Sequence, residues 1–311
     1  MARPLPSFHG FVGQADTVRS IQDHCRGSLS KSRPLPHILF MGPSGMGKTE
    51  LSKCVAKEMG VGCHDFFASP ASKRWQIAKH FLKVKEGDIV FIDEIHALQD
   101  SVQEVLYPAV DRREVPVVDE RSRVVENEWV KIPAFTLIAA SDQIGKLKNA
   151  LLQRMPLRFC LRDYTEAEMK VIVANYAASI GILLSPQAAK RLGKASRGVP
   201  RRARHLLHSL HTCLENTSQT VTMSMADKHL KSVGIDKDDL TEHDRLYLGI
   251  LARRGGFVSL ESIAIQLSLD AETVMHQVEP FLTRMEVISV DRRGRTLTDK
   301  GISYVKQRGL A

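Results

Sequence analysis

His37-Ile38-Leu39-Phe40-Met41, running directly into Gly42-Pro43-Ser44-Gly45-Met46-Gly47-Lys48-Thr49, is the stretch on which the fold turns. The first five residues form a short apolar run that reads as a buried strand. The next eight satisfy G-x-x-x-x-G-K-[ST], in which glycines let the backbone curl until its N–H groups converge on phosphate oxygens. Residues 48–58 then set Leu51, Val55 and Ala56 on one helical face, so a helix aims its positive end at the same anion. In this strand–loop–helix, Lys48 is expected to reach the β- and γ-phosphates of ATP and the Thr49 hydroxyl to ligate Mg²⁺. The expected nucleotide-binding set here is Gly42, Gly45, Met46, Gly47, Lys48, Thr49 and Glu50.

Working outward, Asp88-Ile89-Val90-Phe91-Ile92-Asp93-Glu94 is a second buried strand with two adjacent carboxylates at its C-terminal end, where α/β sheets bind ligands. Asp93 is placed to hold Mg²⁺ through its water shell. Glu94 is placed to polarise the attacking water as general base. A third apolar strand, Phe135-Thr136-Leu137-Ile138-Ala139-Ala140, ends in Ser141-Asp142, a polar pair suited to sensing the γ-phosphate. The alternation of strands and helices predicts an α/β P-loop core built on a parallel sheet.

The whole composition agrees with a multidomain globular protein. The chain has 311 residues, 43% hydrophobic and 25% charged, with formal net charge +9. Those proportions exclude disordered, collagen-like and disulfide-scaffold classes. The positive balance makes a polyanionic partner plausible. No run reaches the ~18 apolar residues of a membrane span, and Met1-Ala2-Arg3-Pro4-Leu5-Pro6 lacks the apolar core of a secretory signal. Five scattered cysteines, none in a CxxC pair, point to reduced thiols and a cytoplasmic protein without a cysteine-built zinc site.

With these motifs in place, the sequence resembles the AAA+ ATPases, and among them the RuvB motor of Holliday-junction branch migration. The matching words are Val12-Gly13-Gln14, GPSGMGKT, EGDIVFIDEIH (86–96), LYPAV (106–110), IPAFTLIAAS (132–141), ALLQR (150–154), SRGVPR (196–201) and EPFL (279–282), in family order. The resemblance implies a DNA-dependent ATPase that acts as a ring, with a hexamer expected, in recombination and repair. It implies that Arg154 is the arginine finger reaching the neighbouring subunit's γ-phosphate. Arg201 matches the sensor arginine tying the lid to the nucleotide, Tyr164 a tyrosine packing on the base, and Arg3 an N-terminal arginine near the nucleotide. Lys48, Asp93, Glu94 and Arg154 form the expected catalytic set, with Thr49 and Asp93 for the metal.

The organisation expected is an ATPase core over 1–163, a small helical lid over 164–233 and a winged helix over 234–311. The lid is marked by the capping box Thr165-x-x-Glu168 and by Ser185-Pro186 as N-cap and first turn. His205, His208 and His211 are three apart on one lid helix and read as ordinary helix positions. Residues 241–253, 260–267 and 270–284 read as three helices, before a hairpin with Arg292, Arg293 and Arg295 at or near its tip. These arginines are the expected DNA contacts, sequence-independent and aimed at phosphates.

Residues 114–131 read as a β-hairpin, which in the RuvB family meets the junction-binding partner RuvA. Here its tip at 119–123 is highly charged, where the resemblance implies a smaller, glycine-containing one. Glu50 stands where the family has a second Thr, Val290 replaces one of two wing arginines, and residues 64–82 diverge. These departures leave open a non-motor alternative: an ATP-gated switch that assembles on DNA as a regulator or loading platform.

Overall fold

The computed structural model describes residues 7–119, 124–214 and 219–310. The strands are β1 (Ile38–Met41), β2 (Cys63–Phe67), β3 (Ile89–Asp93), β4 (Glu114–Val118), β5 (Val124–Lys131), β6 (Thr136–Ser141), β7 (Leu157–Cys160), β8 (Ile288–Asp291) and β9 (Gly294–Leu297). The chain separates into two compact units, one running to Glu168 with Val199–Arg201 added, the other Met169–Gly198 with everything from Arg202 onward.

The first unit is the expected parallel sheet, in the order β2-β3-β6-β1-β7. Its central strands β1, β3 and β6 are apolar on both faces and bury both. Leu39, Val90, Ile92, Leu137 and Ala139 join Phe81, Leu106 and Phe135 in one core cluster, while Ile38, Phe40, Ile89, Phe91 and Ile138 are also buried. Such continuous runs suit strands covered on both sides rather than alternating ones. Because β1 lies between β6 and β7, and β6 between β1 and β3, the C-terminal ends of the P-loop strand, the sensor strand and the acid-bearing strand lie side by side. The inserted hairpin is present as the antiparallel pair β4–β5, with a bulge between Pro116 and Val118. Of its charged tip, residues 120–123 lie outside the described residues.

In the second unit the lid helices are Glu166–Ser179 (from Met169), Pro186–Ala195, Pro200–Cys213 and Met223–Ser232. Ser185 caps the second of these by accepting the Ala188 N–H, with Pro186 in the first turn. In the histidine row, His208 bonds the Tyr176 hydroxyl at 2.6 Å. The winged helix has helices Glu242–Arg254 and Leu260–Leu267 and the ribbon β8–β9, then a closing helix Asp299–Arg308. The third expected helix is not continuous: a π-turn at Val274–Val278 separates a short first piece from Glu279–Arg284. Pro280 has no N–H to donate back and its ring crowds the preceding turn. The break puts Pro280 in the first turn of the last piece, where a missing donor costs nothing.

Lid and winged helix meet through a buried charge. Arg197 and Asp244 form an ion pair with each side chain about 1% exposed. Arg197 Nε also donates to the Asp239 carbonyl at 3.0 Å, and its guanidinium stacks 3.7 Å from the Phe281 ring centroid.

Candidate active site

The loop after β1 depends on glycine at two close approaches. A Cβ on Gly42 (φ +130°) would lie 2.8 Å from the Leu161 carbonyl oxygen, and one on Gly45 (φ +86°) 2.7 Å from Arg201 Cβ. Both positions therefore need the backbone freedom and the missing side chain together. Met46 is buried beneath the loop, and Gly47 caps the helix Lys48–Met59. Lys48, 5% exposed, folds its ammonium onto the loop and donates to the Gly42 carbonyl at 2.6 Å and Pro43 at 3.1 Å. Burial pulls its pKa below the usual lysine value, while the nearby Glu94, Asp93 and Asp142 carboxylates work against that. Glu50, next along the helix, is exposed.

Thr49 Oγ1 donates to Asp93 Oδ2 at 3.3 Å, and the Glu94 N–H donates to Asp93 Oδ1 at 3.1 Å. The Thr49 hydroxyl and Asp93 carboxylate are hard oxygen donors side by side, a set that fits Mg²⁺. Glu94 sits at φ +52°, where β3 turns sharply, and burial first and Asp142 second raise its carboxyl pKa. Its Oε2 is buried and accepts no hydrogen bond. His96 Nδ1 stands 3.4 Å from that oxygen, 3.6 Å from Asp142 Oδ1 and 3.2 Å from Ser141 Oγ.

Thus Lys48, Thr49, Asp93, Glu94, Ser141 and Asp142 are brought together at the strand ends, as the sequence led us to expect. Arg201 joins them, donating from Nη1 to Ser44 Oγ at 2.8 Å. Tyr164 is buried, donates to the Met46 carbonyl at 3.0 Å and covers Gly13, where a Cβ would lie 2.7 Å from its ring. Burial pushes its phenol up to about 12.

Arg154 has other partners. Its Nε donates to Asp111 Oδ1 at 2.9 Å and Oδ2 at 3.0 Å, Nη1 donates to the Ala150 carbonyl at 2.6 Å, and its guanidinium lies 4.7 Å from the Tyr107 ring centroid. Arg3 lies outside the described residues. Spacing alone did not single out Asp111, His96, Ser44 or Gln14. Gln14 brackets the Arg162 backbone, donating to its carbonyl at 2.6 Å and accepting its N–H at 3.2 Å. The available signals were that Gln14 and His96 fall inside quoted motifs and Asp111 directly follows one.

On the wing, Arg292 is exposed, and exposed Arg293 stacks 4.1 Å from the Phe257 ring centroid while pairing with Asp291 at 3.1 Å. Arg295 differs from the expectation. Its side chain is 14% exposed and pairs at 2.8 Å with buried Glu279, which also accepts the Tyr247 hydroxyl at 3.0 Å. The reason is the buried Glu279 carboxylate, which would be costly to leave without a cation.

Three family models cover nearly the whole chain. The Holliday junction DNA helicase RuvB P-loop domain matches residues 3–161, the RuvB AAA lid domain 164–236 and the RuvB C-terminal winged helix domain 237–306. The chain belongs to the RuvB family. Among relatives, the Holliday junction branch migration complex subunit RuvB of Ehrlichia ruminantium (strain Gardel) is 32% identical over 298 residues, covering 96% of this chain and 90% of that protein. The subunit of the same name from Campylobacter jejuni (strain RM1221) is 31% identical over 302 residues, with 96% and 90% covered. Among solved structures, the Thermotoga maritima RuvB Holliday junction branch migration motor superposes with a TM-score of 0.82 at 28% identity, covering 97% of this chain and 98% of that one. The RuvB resemblance carried by the motifs is therefore borne out, and so is the AAA+ architecture.

Proposed function

We propose that this RuvB-family chain hydrolyses ATP with Mg²⁺ and uses the energy to drive branch migration of Holliday junctions, as a ring of identical subunits, six in number, in cytoplasmic recombination and repair. The observation that carries the reading is the cluster at the strand ends: Thr49 bonded to Asp93 at 3.3 Å, with Lys48, Glu94 and Asp142 around them. A binding-only site needs the cradle but not Glu94. A half-buried carboxylate with a raised pKa, next to the metal-type acid, is the group that turnover requires.

In this mechanism the Gly42–Gly47 backbone and Lys48 bind the phosphates, and Arg201 ties its segment to the loop. Thr49 and Asp93 would hold Mg²⁺, which would supply positive charge to the phosphate oxygens. Glu94 accepts the proton of the water that attacks the γ-phosphorus, the bond to the ADP oxygen breaks, and phosphate leaves. Arg154, presented by a neighbouring subunit, neutralises charge in the transition state, a contribution of about 10³–10⁵ in other NTPases. Ser141 and Asp142 sense the γ-phosphate, and Tyr164 lies beside the base. Arg292 and Arg293 meet DNA phosphates while Arg295 braces the wing behind them. The β4–β5 hairpin, with Trp129 exposed, is the docking surface for a RuvA-like partner. Among the described residues no helix is long and apolar enough to cross a membrane.

The test is ATP turnover with and without a synthetic four-way junction, for wild type, Arg154→Ala and Glu94→Gln. Junction-stimulated turnover should be lost in each variant and partly restored on mixing them, since one lends Glu94 and the other Arg154. ATP binding without hydrolysis under any DNA condition would instead assign the non-motor switch.

A further inference from the structure

His96 belongs to none of the roles assigned above, yet its imidazole stands among three of the residues that have them. Its Nδ1 lies 3.2 Å from Ser141 Oγ, 3.4 Å from Glu94 Oε2 and 3.6 Å from Asp142 Oδ1. The ligand atoms of Glu94, His96 and Asp142 all fall within 4.8 Å of one another. Ser141 Oγ already accepts the Gln143 N–H at 3.0 Å, which fixes the turn after β6. The His96 ring is therefore anchored at the end of β6 while it faces a glutamate at the end of β3. Glu94 Oε2 is buried without a hydrogen bond, and Asp142 is the carboxylate that most disfavours its charge. A half-buried carboxylate with one oxygen shielded from water, beside a like charge, needs a donor to hold one orientation.

Resting on the ATPase reading above, we propose that His96 is a positioning residue whose single Nδ1–H, bonded to Ser141 Oγ and 3.4 Å from Glu94 Oε2, is shared with that carboxylate when it turns toward the ring, so that it aims the general base and links it to the sensor pair Ser141–Asp142. Removing it leaves the phosphate cradle intact and lets the Glu94 carboxylate turn away from the water, so the loss falls on kcat and not on KM. Misplacement of a catalytic group by about 1 Å can cost on the order of 10²-fold, so a partial loss of aim costs about tenfold.

The experiment measures kcat and KM for ATP, with junction DNA present, for wild type, His96→Ala, His96→Gln, His96→Asn and Glu94→Gln, alongside thermal melting of each. An Asn amide nitrogen occupies the place of Nδ1, whereas a Gln amide extends to the far side of the ring. The proposal expects His96→Ala and His96→Gln to lose about tenfold in kcat with KM within about twofold of wild type, and His96→Asn to recover most of the rate. Wild-type kcat in His96→Ala overturns it, and so does an equal loss in all three His96 variants accompanied by a lowered melting temperature. If wild type itself hydrolyses no ATP, or Glu94→Gln remains active, the ATPase reading falls with it, and those two results are distinct from a failure of His96 alone.

Discussion

At the scale of single residues, burial decides how side chains in the core behave. His37 opens the P-loop strand, and its Nδ1 accepts the Leu137 N–H at 2.9 Å, so the folded protein needs the ring neutral. Burial lowers its pKa to about 4 from 6.5, against a small opposite pull from Asp111. Above pH 6.5 the ring is neutral both folded and unfolded and adds no pH dependence. Between pH 6.5 and 4 the unfolded chain binds the extra proton, so stability falls as pH falls, by about 1.4 kcal/mol per unit. Denaturant titrations at pH 7.5 and pH 5 should show wild type losing about 2 kcal/mol more than His37→Asn, whose amide oxygen can accept the same N–H without titrating. Equal losses in the two proteins would remove His37 from the account.

At the scale of elements, the closing helix Asp299–Arg308 packs against the wing so closely that glycine is required at one point. A Cβ on Gly301 would lie 1.9 Å from the Val287 carbonyl oxygen, at the entry to β8. The obstacle is backbone, so no rotamer change relieves it. We expect Gly301→Ala to destabilise the second unit by about 3 kcal/mol or more. Gly256→Ala, with nothing within 4 Å of its Cβ, serves as the control and should melt near wild type. The wing itself follows from this packing. The ion pair with buried Glu279 turns Arg295 inward, and Arg292 and Arg293 are left facing solvent.

At the scale of the whole molecule, the segment SRGVPR spans two bodies. Arg197 is anchored among the residues of the second unit, while Arg201, four positions on, belongs to the first and bonds Ser44 of the phosphate loop. The Arg197–Asp244 pair bridges lid and winged helix within the second compact unit. Arg197→Met leaves Asp244 buried without its cation and should cost about 3–5 kcal/mol, read as a lower denaturation midpoint. Arg197→Met combined with Asp244→Asn should recover a large part of that loss. A double variant no better than the single would show that the packing of Arg197 on Phe281, and not its charge, joins the two.

The sequence by itself determined the parallel α/β core, the phosphate loop, the acids Asp93 and Glu94 and the helical lid. Each of these is written in local spacing: an apolar run followed by glycines and a lysine, or by two carboxylates, has few physical readings. It also determined the winged helix, because the helical periodicity of 241–253 and 260–267 is local; the structure adds the caps Thr241 and Ser259. Only the tertiary structure decided which charges meet. His96 faces Ser141 and Asp142 because β3 and β6 pair in register, across 45 residues of chain. Arg154 is held by Asp111, 43 residues away, and Arg295 by Glu279 on a different element. Charged side chains are long and their partners interchangeable in sequence, so burial and packing, which no spacing records, choose among them.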